Sequence, residues 1–122
     1  MKAIIIDDSR SMRALLRGFL EPWGFEVTEA ADGREASRVL GESGPFEVCL
    51  LDWNMPIMTG YELLILLRAS PKFDSMPILM VTTEADAAQM RQALEAGANE
   101  YLAKPVTEDE LRDKLRAVGF SV

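Results

Sequence analysis

Five short apolar runs alternate along the chain with segments of helical periodicity, and this alternation limits the possible folds more than any other feature. The apolar runs are predicted strands and cover residues 3–6, 25–29, 47–51, 77–81 and 100–103. The first, third and fourth runs are almost entirely apolar, which is typical of strands buried on both faces of a parallel sheet. Five β–α pairs therefore predict an α/β fold, a single doubly wound domain over residues 1–122 with helices on both faces of the sheet.

The segments between the runs are predicted helices. The first has an apolar stripe at spacings of three and four residues, formed by Met12, Leu15, Leu16, Phe19 and Leu20. Four further helices are predicted over residues 33–40, 60–68, 86–96 and 107–118, with a loop over residues 41–45 after the second. Gly97 is expected to cap the end of the fourth helix, and Thr107 with Glu110 to form a capping box at the start of the fifth.

The third predicted helix has two apolar faces. Its inner face, expected to pack on the sheet, consists of Gly60, Leu63, Leu64 and Leu67. Ile65 and Leu66 fall on the opposite side, where we expect them to be exposed and available as part of a protein contact.

Composition and charge exclude several kinds of function. The chain has 122 residues and a formal net charge of −7, which argues against sequence-independent nucleic-acid binding. It contains no histidine, so metal sites and catalysis that require imidazole are excluded. The one cysteine, Cys49, lies in an apolar run and is predicted to be a buried, inert thiol in a reducing compartment. The apolar start is too short for a signal peptide, so we expect a cytoplasmic protein.

Polar side chains follow four of the five predicted strands, namely Asp7 and Asp8 after the first, Asp52 after the third, Thr82 after the fourth and Lys104 after the fifth. In doubly wound sheets ligands bind beyond the carboxyl ends of the strands, so we expect these side chains to converge. Three converging carboxylates repel one another unless a cation lies among them, and oxygen ligands without imidazole or thiolate favour Mg²⁺. A carboxylate can also receive a phosphoryl group, and Asp52 is the candidate because it follows the central strand.

Each of these residues also has a purely structural explanation. Asp8 or Ser9 could cap the first helix, and Asp52 could open a turn. Thr82 could cap the fourth helix, and Lys104 could be an ordinary surface lysine. The combination of all of them at the ends of the expected strands favours a phosphoryl-transfer site.

Four motifs resemble those of the receiver domains of two-component response regulators. They are Asp7-Asp8-Ser9, Asp52-Trp53-Asn54-Met55-Pro56 with Gly60, Thr82-Thr83-Glu84, and Lys104-Pro105. The resemblance extends over residues 2–118 and is nearest to the chemotaxis regulators of the CheY type, through the segments Asp7-Asp8-Ser9-Arg10-Ser11-Met12-Arg13 and Asp52-Trp53-Asn54-Met55-Pro56. It implies a flavodoxin-like, CheY-like five-stranded sheet in the order 2-1-3-4-5.

The resemblance implies that Asp52 is the phosphoacceptor. It further implies that Mg²⁺ is held by the carboxylates of Asp7, Asp8 and Asp52 and by the backbone carbonyl of Asn54. The implied function is a phosphorylation-dependent switch in a phosphorelay, which assists its own phosphorylation and dephosphorylation but is not an enzyme.

Other residues match the parts of the family that sense the phosphoryl group. Thr82 and Lys104 would bind its oxygens, and the Lys104–Pro105 peptide bond would be cis. Tyr101 would be the aromatic switch residue that turns inward when Thr82 moves. Asn54 and Glu84 would flank the acyl phosphate and tune its lifetime, which we expect to be short.

The implied partners are a sensor histidine kinase or phosphotransfer protein as donor and a downstream protein that binds the surface of helix four, strand five and helix five. Nucleic acid and membrane partners are not expected, and the chain is expected to be a monomer or weak dimer. A receiver domain of a larger regulator or of a hybrid kinase is an alternative to a single-domain chemotaxis-type regulator.

Three rival functions use similar features. Phosphatases of the haloacid-dehalogenase type also form an aspartyl phosphate. Their motif has a second aspartate two residues after the nucleophile, and this chain has Asn54 at that position. A flavodoxin-like cofactor binder would need a first loop that accepts phosphate, which Asp7 and Asp8 would repel. A receiver that binds partners constitutively would not need the set of Asp52, Thr82 and Lys104.

Overall fold

The computed structural model describes residues 1–83 and 86–122. One parallel sheet has the order β2-β1-β3-β4-β5. Its strands are β1 (Lys2–Ile6), β2 (Glu26–Ala30), β3 (Val48–Leu51), β4 (Ile78–Thr82) and β5 (Glu100–Ala103). The helices that alternate with them are α1 (Arg10–Leu20), α2 (Gly33–Ser43), α3 (Gly60–Ala69), α4 (Ala87–Ala96) and α5 (Glu108–Ala117). The predicted fold class and strand order are confirmed, and no strand boundary differs from the prediction by more than one residue.

The three inner strands are buried on both faces, as their apolar sequences predicted. Ile4 and Ile6 of β1 pack into the apolar layer beneath α2, α3 and α4, whereas Ile5 packs into the layer beneath α1 and α5. This two-residue alternation places one apolar core on each side of the sheet. Cys49 of β3 is fully buried, and burial raises the pKa of its thiol to about 12, so the thiol is inert in the folded protein.

The second helix is longer than predicted. Residues 41–43, predicted as a loop, continue α2, which ends at Ser43 with Gly44 as its C-cap. A Cβ at Gly41 would have no atom within 4 Å, so this glycine faces open space and forces no turn. The ion pair of Arg38 with Glu42, at 3.0 Å and four residues apart, supports the added turn.

The stripe of α1 is narrower than predicted. Leu16 and Leu20 are buried, but Leu15 has 41% of its surface exposed. The buried centre of this helix lies between Leu16 and Leu20, and one helical step of about 100° carries Leu15 to the edge of the stripe.

Helix ends and faces otherwise follow the sequence. Gly97 caps α4 in the left-handed conformation, with φ of 114°. Thr107 caps α5, because its hydroxyl accepts a hydrogen bond from the Glu110 N–H at 3.2 Å. The Glu110 carboxylate accepts from the Thr107 hydroxyl at 2.9 Å rather than from the Thr107 backbone N–H, so this arrangement differs from the predicted capping box. On α3 the predicted inner face is buried, and Ile65 and Leu66 are exposed as expected. Within residues 1–83 and 86–122, none of the helices has both the length and the apolar character needed to cross a membrane.

Candidate functional site

The register of the sheet brings the strand-end residues together. Ile6 pairs with Leu51, so Asp7 and Asp52 emerge side by side from β1 and β3. The Asp52 N–H donates to the carbonyl of Ile6 at 2.9 Å, which fixes this relation. On the other side, Thr82 is the last residue of β4 rather than the first residue after it, and its carbonyl accepts from the Lys104 N–H at 2.9 Å.

Three carboxylates form the centre of the site. Oxygen atoms of Asp7, Asp8 and Asp52 all lie within 4.8 Å of one another. Asp7 and Asp52 are 1% and 5% exposed, whereas Asp8 is open to solvent. Two buried carboxylates and one exposed carboxylate leave an accessible cluster of hard oxygen donors. This donor set, with no nitrogen or sulfur ligand in it, fits a divalent cation that coordinates oxygen.

Lys104 compensates part of the negative charge. Its ammonium nitrogen lies 2.8 Å from Asp7 Oδ2 and 3.2 Å from Asp52 Oδ2, so one lysine is shared between two carboxylates. Burial works against a charged lysine, but the hydrogen bond to Asp7 and the charges of Asp52 and Asp7 outweigh it and raise the pKa of Lys104. The lysine is therefore a fixed positive charge at neutral pH. The next peptide bond, to Pro105, is cis.

Asp52 is held in an unfavourable environment for a carboxylate. Burial and the nearby charge of Asp7 raise its pKa above the ordinary value, and Lys104 and a hydrogen bond from the side chain of Thr82 offset only part of this. Thr82 itself is fully buried. The charged Asp52 carboxylate would thus be stabilised by an added cation or by a reaction that redistributes its charge.

In the loop between β1 and α1, the residue that caps the helix is Ser9 and not Asp8. Ser9 is the N-cap of α1, since its hydroxyl accepts from the Met12 N–H at 3.2 Å. The Ser9 N–H donates to Asp7 Oδ1 at 2.9 Å, which orients that carboxylate. Because Ser9 caps the helix, Asp8 remains available to a cation. In the same way Asp86, rather than Thr82, caps α4.

The loop after β3 wraps closely around Asp52. The Asn54 N–H donates to Asp52 Oδ1 at 3.3 Å, so Asp52 also opens a turn, as one structural explanation proposed. Asn54 is exposed beside the site. Trp53 stacks on Tyr61 of α3, with ring centroids 4.8 Å apart and an angle of 12° between the planes. This stack makes Trp53 a rigid reporter next to the phosphoacceptor candidate.

Tyr101 and Glu84 complete the predicted set. Tyr101 of β5 is 7% exposed and packs in the core layer beneath α2, α3 and α4. Its inward turn on phosphorylation stays a prediction. Glu84 lies outside the described residues.

Two residues matter more at this site than the sequence indicated. Gly60 begins α3, and a Cβ there would lie 1.7 Å from the carbonyl oxygen of Asp52, so only glycine allows this approach. Arg13 of α1 donates from Nη1 to the carbonyl of Asp7 at 2.7 Å. Gly60 was predicted as a motif residue and as part of the inner face of the third helix, but neither prediction indicated its close approach to Asp52. The tertiary contact of Arg13 has no signature in sequence spacing.

Comparisons with known proteins agree with this geometry. Residues 3–116 match the family described as "Response regulator receiver domain". The chain is 43% identical to a chemotaxis protein CheY homolog of Campylobacter jejuni, covering 97% of this chain and 92% of the relative. It is 41% identical to chemotaxis protein CheY1 of Helicobacter pylori, covering 97% and 96% of the two chains. The solved structure of the chemotaxis response regulator CheY4 of Vibrio cholerae superposes with a TM-score of 0.87 and 37% identity over 96% of this chain and 97% of that one.

Proposed function

Because the chain belongs to the response regulator receiver family, we propose that it is a switch that takes a phosphoryl group from a phosphohistidine donor onto Asp52. It is a phosphoacceptor signalling protein and not an enzyme in the usual sense. The observation that carries the proposal is the position of Asp52, a nearly buried carboxylate with a raised pKa that touches Lys104 and shares an edge with Asp7 and Asp8.

The transfer needs a nucleophile and charge compensation. An Asp52 carboxylate oxygen attacks phosphorus as the bond from phosphorus to the donor imidazole breaks, and the imidazole leaves with that electron pair. Mg²⁺, held by Asp7, Asp8, Asp52 and the Asn54 carbonyl, would supply positive charge to the phosphoryl oxygens. Lys104 and Thr82 already contact Asp52, so small movements redirect their donors to the new oxygens.

The switch follows from that redirection. Thr82 ends β4 and faces the site, and Tyr101 lies on the neighbouring strand, where Met80 is its partner in the register. A Thr82 hydroxyl that follows the phosphoryl group changes the space available to Tyr101. A shift from mostly inactive to mostly active protein needs about 5 kcal/mol of differential interaction. We place the response on α4, β5 and α5, the surface for a downstream protein partner.

The pathway is a finer proposal. The CheY-type relatives are chemotaxis proteins, so we propose a chemotaxis-type regulator, with residues 1–122 as one receiver domain that works in the cytoplasm as a monomer or weak dimer. A receiver of a larger regulator or hybrid kinase is the alternative, and gene neighbourhood would separate the two. The exposed amide of Asn54, with Glu84, is proposed to give a short-lived acyl phosphate. A phosphoryl half-life of hours at neutral pH would contradict this.

A fluorescence experiment tests the proposed chemistry. Trp23 lies away from the site and contacts Arg112, so a Trp23→Phe variant leaves Trp53 as the reporter. We expect its emission to change on addition of Mg²⁺ and to change again when acetyl phosphate is added with Mg²⁺. Asp8→Ala in the same background should weaken the first change, because it removes one of three carboxylates. Asp109→Asn, whose side chain is 91% exposed on α5, is the control and should behave as the parent. A phosphoryl response that is equal with and without Mg²⁺ would overturn the proposal.

A further inference from the structure

We propose that Arg13 is a positioning residue of the acidic site, which fixes the Asp7–Asp8 peptide so that both carboxylates are presented to the cation. The inference rests on the proposed Mg²⁺ site and gives a role at that site to a residue for which the sequence predicted none. It is carried by a chain of hydrogen bonds from β2 through α1 to the end of β1.

The side chain of Arg13 reaches the acidic loop from the side. Its Nη1 donates to the carbonyl oxygen of Asp7 at 2.7 Å, and its Nε donates to Glu29 Oε1 at 2.8 Å. Only 15% of the side chain is exposed. Because two of its donors bind acceptors in different directions, the guanidinium is held in one orientation. The hydrogen bond to Asp7 therefore has a fixed geometry.

Glu29 holds the guanidinium in place. Its second oxygen accepts from Arg17 Nε at 2.7 Å, and Arg17 is itself fixed by the carbonyl of Val27 at 3.2 Å. Burial alone would raise the pKa of Glu29, but the hydrogen bonds from Arg17 and Arg13 lower it, so the carboxylate remains charged at neutral pH. Arg17 thus shares Glu29 with Arg13. Its other hydrogen bonds go to Glu21 and to the carbonyl of Val27, whereas the second hydrogen bond of Arg13 goes to Asp7.

The contact acts on the geometry of two ligands at once. The carbonyl of Asp7 belongs to the peptide group that joins Asp7 to Asp8, and that peptide is planar. The Asp7 N–H is already bonded to the carbonyl of Ala30 at 3.1 Å, and its carboxylate to the Ser9 N–H. Arg13 fixes the remaining backbone group. The direction in which the chain leaves toward Asp8, the exposed carboxylate of the cluster, therefore depends on Arg13.

The charge of Arg13 has the opposite effect on a cation. A guanidinium one peptide group from Asp8 repels Mg²⁺ electrostatically, so its removal would tighten binding if charge dominated. Positioning predicts the reverse, because a mobile Asp8 has to be ordered when the cation binds. The two effects differ in sign, which makes them separable by experiment.

Two variants and one matched control provide the test, all in the Trp23→Phe background. Arg13→Lys keeps the charge but loses the two-directional fork, and Arg13→Met removes both. Arg17→Met removes a comparable contact with Glu29 without touching Asp7. The dissociation constant of Mg²⁺ is measured by Trp53 fluorescence and by calorimetry, with circular dichroism to verify folding and thermal stability.

We expect both Arg13 variants to bind Mg²⁺ about tenfold more weakly, the lower end of the effect of residues that orient metal ligands. Arg17→Met should melt at a lower temperature than the parent but keep its Mg²⁺ affinity. The Mg²⁺ concentration for half-maximal phosphorylation by acetyl phosphate should rise in the Arg13 variants, with a rate at saturating Mg²⁺ close to that of the parent.

Three results would overturn the inference. Tighter binding by Arg13→Met with unchanged binding by Arg13→Lys would show that only charge matters. Unchanged affinity in both, with lower melting temperatures, would show that Arg13 only stabilises the fold. If Arg13→Met does not fold, Arg13→Lys decides alone, since it preserves charge and length. A parent that binds no Mg²⁺ would instead contradict the proposed function, together with this inference.

Discussion

Replacement of Gly60 by alanine should disrupt the site through its backbone. The Cβ of alanine would lie 1.7 Å from the carbonyl oxygen of Asp52, 2.7 Å from its carbonyl carbon and 3.0 Å from Trp53 Cα. All three are main-chain atoms, so no change of rotamer relieves the overlap. The start of α3 and the loop from Asp52 must therefore separate by more than 1 Å. This movement also breaks the hydrogen bond from the Gly60 N–H to the carbonyl of Trp53, now 2.8 Å long.

The size of the effect follows from this overlap. Overpacking of a buried site costs about 1–3 kcal/mol, and a clash with main chain belongs at the upper end, about 3 kcal/mol. For a domain of this length that corresponds to a fall in melting temperature of roughly 10 °C. Because the displaced atoms include the backbone of Asp52, phosphorylation should slow by about 100-fold, the loss expected for a displacement of roughly 1 Å.

The same substitution at Gly18 is the control and should have the opposite sign. Gly18 lies inside α1, and a Cβ there would meet no atom within 4 Å. Alanine is favoured over glycine in a helix interior by about 1 kcal/mol, so Gly18→Ala should raise the melting temperature by roughly 3 °C. Thermal unfolding followed by circular dichroism measures both, and labelling by acetyl phosphate measures the rate. A Gly60→Ala variant as stable and as reactive as the parent would refute the close approach of α3 to Asp52.

Three further predictions concern single residues. Ile57 has φ of 72° and is 72% exposed. Ile57→Asn should relieve the strain of this left-handed conformation and stabilise the protein by about 1 kcal/mol, measured by denaturant unfolding. A loss of stability would contradict the left-handed conformation of residue 57. Burial and the charge of Asp7 raise the pKa of Asp52, so the folded state binds this proton more tightly than the unfolded chain and loses stability as the pH rises through the folded pKa. Without metal at neutral pH, the Asp52→Asn variant should therefore have a higher melting temperature than the parent, and the difference should shrink as the pH falls. A variant less stable than the parent at neutral pH would show that the folded protein tolerates the charge of Asp52 well. Cys49 is fully buried, so a thiol reagent should label it only as fast as the protein unfolds, and rapid labelling of the native state would place it at the surface.

The strand ends could be predicted because the physics behind them is local. A run such as residues 48–51 is apolar at every position, so it has to be covered on both faces, and its polar neighbour Asp52 marks where that cover ends. Parallel strands then bring their carboxyl ends to one edge, which is why Asp7 and Asp52 meet. The position of Thr82 was wrong by one residue because threonine is a good strand residue and can close β4 as readily as follow it.

Some of the features that were missed have local causes, and others depend on contacts between distant segments. Gly41 looked like a break in α2, but with open space around it a glycine merely costs some helix stability. The capping box of Thr59 with Glu62 has a local signature, a threonine three residues before a glutamate, and could have been found. The contact of Arg13 with Asp7 depends on how α1 packs against β2, and the close approach at Gly60 on how α3 meets the sheet edge. Neither can be deduced from the order of residues alone.

The most direct test of the central claim locates the phosphoryl group. The protein is incubated with acetyl phosphate and Mg²⁺, the acyl phosphate is trapped by reduction with borohydride, and the modified peptide is identified by mass spectrometry, with Asp52→Asn and the control Asp109→Asn treated in parallel. Modification at Asp52 alone, absent in Asp52→Asn and unchanged in Asp109→Asn, is the predicted result. Modification at Asp7 or Asp8, or labelling of Asp52→Asn equal to that of the parent, would contradict the assignment of Asp52 as the phosphoacceptor.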